Sequence, residues 1–164
     1  MEGTAKEYGL RVTKEIDERM NVEKSTRAAC MMMRDNYKKL GSWALAAAAY
    51  NGGAARARRR MDEQHQTNYY DILWADETAR YVFRILAYKA IMSDPAKYGF
   101  DVEDDDLYRP YDTHTEKLPT PQSDLAQWAI DHGTTYKALR TLNPWITKPQ
   151  LLETRDTLSV ELPN

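Results

Sequence analysis

The sequence predicts a mainly α-helical chain that closes on a small strand-helix-helix-strand unit. Three observations carry this reading. The run GSWALAAAAYNGG at residues 41–53 is a small-residue helix broken by paired glycines. The run DETARYVFRILAYKAIMS at residues 76–93 is apolar at helical spacing and is stopped by Pro95. After Phe100 the composition turns acidic and proline-bearing, and short amphipathic helices and an alternating LSVEL stretch follow it.

In chain order, residues 23–40 read as a helix in which Ser25 or Thr26 accepts from free first-turn amides. Ala29, Met32, Met33 and Tyr37 form its apolar stripe. Gly41 ends it in the left-handed conformation, and Ser42 caps the next helix, which runs from Trp43 to Tyr50. The alanines of that helix let a neighbour approach closely. Asn51-Gly52-Gly53 breaks it, and a basic helix resumes over residues 54–63. Asp76 and Glu77 place negative charge at the start of the helix to Ser93, where its dipole favours it. Ala79, Val82, Phe83, Leu86 and Ala90 form one stripe, broadened by Ile85, Tyr88 and Ile91, and a helix so widely apolar is expected at the centre of the core.

Residues 101–122 read as a linker or an extended segment, with DVEDDD followed by Pro110, Pro119 and Pro121. The helix DLAQWAIDHG follows and stops at Gly133. The helix TYKALRTLN, capped by Thr134 or Thr135, ends at Asn143-Pro144. Residues 157–162 alternate as a strand, with Leu158, Val160 and Leu162 on one face. The expected divisions are therefore 1–100, 101–122 and 123–164.

Composition narrows the function classes. Hydrophobic residues are 42% and charged residues 29%, enough apolar material for a packed core. The formal net charge of -2 gives no bulk attraction for nucleic acid. No apolar run reaches the roughly 18 residues that span a bilayer, and Met1-Glu2-Gly3 does not read as an export leader. Cys30 is the single cysteine, so no internal disulfide forms. No cofactor or metal is expected. His65, His114 and His132 lack metal spacing, and DVEDDD has Asp106 where a calcium loop needs glycine. Four Trp and eleven Tyr suit saccharide stacking as well as ordinary packing.

Ala49-Tyr50-Asn51-Gly52-Gly53 resembles the sugar-binding motif of lytic transglycosylases with the lysozyme-like fold, in particular their membrane-bound type D branch. Glu77, Thr78, Tyr81 and Val82 match the Glu-Thr-x-x-Tyr-Val signature of that family's last core helix. The resemblance covers residues 1–100 and implies the C-terminal part of a lysozyme-like α lobe. It also implies peptidoglycan glycan strands as partner and the bacterial cell envelope or periplasm as location. In that family one glutamate protonates the bond between N-acetylmuramic acid and N-acetylglucosamine, and the muramic 6-hydroxyl closes onto C1, giving a 1,6-anhydro end. This chain's MEGTAKEYGL matches family sequence downstream of that glutamate, so the resemblance implies a catalytic Glu upstream of Met1 and none within the chain. Glu7 then reads as an exposed helix residue.

The resemblance assigns substrate binding to Tyr50, Asn51, Gly52, Tyr81 and Glu77. An amide such as Asn51 can both donate to and accept from an N-acetyl group, with the Tyr50 ring as a stacking face; equally, Asn51 could cap its helix. Gly52-Gly53-Ala54 lacks the proline common in the family, which loosens the loop. Tyr81 would face the cleft or sit in the core, and Glu77 would organise the helix start. Residues 123–164 resemble a degenerate LysM module, through the helix pair, Leu142-Asn143-Pro144 and LSVELP, with a first strand from Thr115 to Leu118. Such a module binds N-acetylglucosamine polymers, with Asn143 and Trp145 as residues to test, or packs on the first lobe. The arginines 56, 58, 59 and 60 could meet peptide-stem carboxylates, though such runs are ordinarily solvated helix faces.

A helical lobe of this kind is expected to leave apolar surface open near Ala46 to Tyr50 and Tyr81, for an N-terminal segment or a second copy to cover. The rival to an enzyme is a non-catalytic peptidoglycan-binding protein.

Overall fold

The computed structural model describes all 164 residues. Its elements are α1 (Glu2–Glu7), α2 (Val22–Leu40), α3 (Trp43–Gly52), α4 (Ala54–Gln64), α5 (Asp76–Ser93), β1 (Thr113–Leu118), α6 (Leu125–Asp131), α7 (Tyr136–Leu142) and β2 (Leu158–Pro163). The fold is mainly α with one two-stranded antiparallel sheet. No helix is long and apolar enough to cross a membrane.

Residues Met1–Ala28 and Arg109–Asn164 form one compact unit and Ala29–Tyr108 another. This grouping differs from the divisions expected at 100 and 122. One reason is that β1 lies inside the expected linker, pairing from Thr113↔Pro163 to Leu118↔Leu158. The other is that the segment around Ile16 is built into the sheet-bearing unit. Ile16 is fully buried there with Trp128, Leu139 and Val160. Its neighbours bond to the chain beyond α7: Asp17 N–H donates to the Trp145 carbonyl and Thr147 N–H to the Glu15 carbonyl, both at 2.8 Å.

In that unit β2 buries Leu158, Val160 and Leu162 and turns the intervening residues outward, the period-2 pattern of a half-buried strand. Asp124 caps α6 by accepting from Ala126 and Gln127, and Thr135 caps α7 by accepting from Ala138. At the end of α7, Asn143 is 1% exposed and ties the helix to β2. Its Nδ2 donates to Leu139 O at 2.9 Å and to Glu161 O at 2.7 Å, while its Oδ1 accepts from Glu161 N at 2.9 Å.

In the other unit α3 packs against both α4 and α5. Ser42 caps it by accepting from Leu45 N at 3.2 Å, and Leu45 through Ala49 are all buried. Methyl side chains let two helices approach one stretch of α3. Of the open apolar surface expected at Ala46 to Tyr50 and Tyr81, the alanine part is therefore filled, while Tyr50 is exposed and Tyr81 half-buried. Complete burial of a leucine such as Leu45 contributes about 2 kcal/mol.

Three further expectations are corrected. The α2 cap is Asn21, whose Oδ1 accepts from Lys24 N at 3.0 Å, while the Ser25 hydroxyl instead donates to Val22 O. On the same helix Asn36 is buried in place of Tyr37, whose ring stacks at the surface on Trp43, centroids 4.4 Å apart. The helix α5 is not central. Only Thr78 and Val82 are buried, and Phe83, Ile85, Leu86, Tyr88 and Met92 face outward, because α3 covers only its first turns.

Candidate functional site

Gly53, at φ 92, interrupts the helical path between α3 and α4. Its backbone conformation is one that L side chains rarely adopt, and it turns the chain so that α4 folds back along α3. The last turn of α3, carrying Tyr50, Asn51 and Gly52, thereby meets the first turn of α5. The Thr78 hydroxyl donates to Asn51 Oδ1 at 2.9 Å. A Cβ at Gly52 would lie 3.1 Å from the same hydroxyl, so the close approach depends on that glycine.

Thr78 is held from the other side as well. The buried Tyr69 hydroxyl reaches Thr78 O at 2.7 Å and Ala79 O at 2.8 Å, sharing its proton between them. Trp74 stacks on Tyr69, centroids 5.6 Å apart, and donates its indole N–H to Tyr69 O at 2.8 Å. Burial raises the Tyr69 pKa, keeping that phenol a neutral donor.

This arrangement fixes what Asn51 offers. Its carbonyl oxygen is engaged by Thr78, so the half-buried amide turns its NH2 group outward as a pure donor. Beside it the Tyr50 and Tyr81 rings stack with centroids 6.5 Å apart. Tyr50 is exposed and Tyr81 half-buried, and burial, then the neighbouring Tyr50 and Glu77, raise the Tyr81 pKa. Glu77 lies apart from this cluster in its bonding. Its carboxylate pairs with Arg84 at 2.7 Å and is mostly exposed. The structure thus links Tyr50, Asn51, Gly52 and Tyr81 through Thr78 and ring stacking, and engages Glu77 elsewhere.

Three residues that the sequence reading gave no site role belong to the same neighbourhood: Thr78, Tyr69 and Trp74. Thr78 stood inside the quoted signature, and that was the available signal. Tyr69 and Trp74 lie in an irregular stretch without periodicity, where nothing in the sequence marks them. A cleft of about 230 Å³ opens here, walled by Gly52, Arg56, Arg59, Arg60, Trp74 and Thr78.

The sheet-bearing unit holds a larger cleft of about 540 Å³ beside Lys24, Trp145 and Glu161. Its charges are largely spent on each other. Arg11 pairs with Asp156 at 2.9 Å and Lys24 with Glu18, with Lys24 Nζ 5.8 Å from the Trp145 ring centre. Trp145 is 4% exposed, and Asn143 spends its amide on the fold, so both act in packing. No cluster of His, Cys, Asp and Glu could hold a metal ion.

Carboxyl groups show one direction of perturbation. Glu2, Glu15 and Asp17 are all held below their ordinary values. For Glu15 burial alone would raise the pKa, but hydrogen bonds from Glu153, Thr154 and Leu152 outweigh it.

An α3–α4 turn carrying Tyr-Asn-Gly against the Glu-Thr helix start, followed by a two-strand, two-helix module, defines a class. Residues 1–73 match the transglycosylase SLT domain family, and residues 114–164 match the soluble lytic transglycosylase C-terminal LysM-like domain family. The chain thus carries an SLT-type, lysozyme-like segment and, after it, a LysM-like domain of the kind found at the C-terminus of soluble lytic transglycosylases. Among its relatives are the membrane-bound lytic murein transglycosylases D of Escherichia coli K12 and of Escherichia coli O6:H1. Each is 30% identical over 145 residues, covering 85% of this chain and 31% of the relative. The chain therefore spans about a third of the length of the curated relatives it matches.

Proposed function

We propose that this chain serves a peptidoglycan lytic transglycosylase by holding the glycan strand, and that it does not itself supply the proton donor. The observation that carries the reading is the Thr78–Asn51 bond at 2.9 Å, which presents an amide donor beside the Tyr50–Tyr81 stack. An N-acetyl sugar offers the complement: a carbonyl oxygen for the Asn51 NH2 and an apolar ring face for a tyrosine.

The reaction proposed for the whole enzyme needs one carboxylic acid. It protonates the oxygen between N-acetylmuramic acid and N-acetylglucosamine, and the muramic C6 hydroxyl bonds to C1 as that glycosidic bond breaks. The hydroxyl proton returns to the carboxylate, so a 1,6-anhydro end forms and no water is consumed. Such an acid needs a raised pKa to hold its proton near neutrality. The shifted carboxyls of this chain all move the other way, and Glu77 is ion-paired and exposed. That supports binding without proton donation. The same reading implies a cell-envelope, periplasmic setting.

The test is a titration of chitotetraose into the wild-type chain and Asn51→Ala. Loss of one neutral hydrogen bond costs about 0.5–1.5 kcal/mol, several-fold in affinity. A wild-type chain that binds neither chitotetraose nor murein oligosaccharides overturns the reading.

A further inference from the structure

The cleft of about 230 Å³ beside Thr78 is lined by a chemically distinctive set of residues. One wall is the face of α4 that carries Arg56, Arg59 and Arg60. Helical spacing puts these three on one side and Arg58 on another, where Arg58 approaches Asp62 at 3.9 Å. Trp74 also lines the cleft, and its indole N–H is already donated to Tyr69 O, so it offers apolar ring surface. Gly52 lines it as well, at a position where a side chain would crowd Thr78.

Charge on the arginine wall is unbalanced. Glu63 is the carboxylate shared by Arg59, at 3.6 Å, and Arg60, at 3.3 Å. Arg56, one turn nearer the Asn51 site, has neither an ion pair nor a hydrogen bond. An unpaired guanidinium lining a cleft, with further arginines and a tryptophan ring in the same lining, is suited to a carboxylate on a partly apolar stem. The cleft also adjoins the residue that would hold the sugar, since Asn51 and the cleft share Thr78.

We infer that this cleft is a carboxylate subsite, which takes the acidic peptide substituent of a glycan strand while Asn51 holds the neighbouring N-acetyl group. The inference rests on the glycan-binding reading above and adds a substrate preference to it: peptide-bearing strands over bare ones. Arg56 makes the direct contact. Arg59 and Arg60 contribute a field that salt screens.

The experiment uses the full chain and three probes: chitotetraose, a peptide-bearing murein tetrasaccharide, and the same tetrasaccharide with its carboxylates capped as methylamides. Each is titrated into wild type, Arg56→Ala, Arg56→Lys and Arg58→Ala at low and high salt. Alanine is a good helix former at these exposed positions, so the variants retain the fold. Wild type should prefer the uncapped tetrasaccharide to the capped one by about fivefold at low salt, an exposed charge-assisted contact being of that order. Arg56→Ala should lose the preference while binding chitotetraose as wild type does. Arg56→Lys should keep part of it, and Arg58→Ala most of it. Equal affinity of wild type for both tetrasaccharides overturns the subsite, as does a preference that survives Arg56→Ala. An equal loss in Arg58→Ala and Arg56→Ala would reduce the effect to general charge and overturns it too. Failure of wild type to bind any of the three probes overturns the glycan reading and the subsite together, whereas binding of chitotetraose with no carboxylate preference removes the subsite alone.

Discussion

Glu15 and Thr154 are bound twice over: one carboxylate oxygen accepts from the Thr154 backbone N–H at 2.9 Å and from its hydroxyl at 2.7 Å. The other oxygen accepts from Leu152 N at 2.6 Å and Glu153 N at 2.9 Å. Consecutive amides thus close around one carboxylate that is 6% exposed. The bond joins the segment that carries Ile16 to the loop after α7.

Glu15→Gln should therefore destabilise the sheet-bearing unit by about 2–4 kcal/mol, because an amide can satisfy at most one side of that donor cluster. Urea unfolding followed by Trp128 and Trp145 fluorescence measures it, and an unchanged midpoint would remove Glu15 as the anchor. The pH dependence has a definite sign. The Glu15 pKa is lower in the folded chain, so the folded state favours its ionised form. Its contribution is complete above the unfolded value of about 4.3 and disappears as pH falls through the lower folded value. Glu15→Gln should flatten the acid limb of the stability curve in that window. It should not abolish the limb, because Asp17 is lowered too, chiefly by its hydrogen bonds with Arg19.

None of this was visible in the sequence, and the reason is separation. Glu15 meets donors 137 to 139 residues away, and no local pattern encodes such a contact. Elements with strong periodicity were legible: the alternation in β2 and the Ser42 and Thr135 caps appear where the residues suggested. β1 was faint because only Leu118 of its residues is buried. The breadth of the α5 stripe misled for a different reason, since apolar character sets what a helix could bury and the neighbours present decide what it does bury. At the candidate site, Tyr50 and Asn51 were legible as a motif. The orientation of the Asn51 amide was not, since it depends on a hydroxyl on another helix.

Asn143→Ala should cost about 2–4 kcal/mol in the absence of any ligand. It removes three hydrogen bonds at a site 1% exposed and leaves Glu161 N–H without its acceptor. Thermal unfolding of the unliganded chain reads this directly. A variant as stable as wild type would instead free Asn143 for a binding role.

The purified chain should release no 1,6-anhydro muropeptides from sacculi. Glu2, Glu15 and Asp17 hold their protons less tightly than free carboxyls do, and the Glu77 carboxylate pairs with Arg84. Mass spectrometry of the digest is the measurement. Release that disappears on changing one carboxylate within the chain would identify that residue as the acid and remove the binding-only assignment.

Thr78→Val should weaken chitotetraose binding several-fold while leaving the fold intact. Valine matches threonine in shape but cannot donate to Asn51 Oδ1, so the amide loses the contact that turns its NH2 outward. An amide free to rotate spends part of its population presenting an acceptor to an acceptor. The cost is about one neutral hydrogen bond, 0.5–1.5 kcal/mol. Thr78 is buried, but its methyl packing survives the change, and Tyr69 still holds the backbone carbonyl at 2.7 Å. Gly52→Ala provides the steric counterpart. Its new Cβ would stand 3.1 Å from the Thr78 hydroxyl and push it from Asn51 without removing it. Both variants should lose affinity in the same direction, and combining them should add little, because each breaks the same bond. Full additivity would mean that Gly52 and Thr78 act on the sugar independently and that Asn51 is not oriented through Thr78.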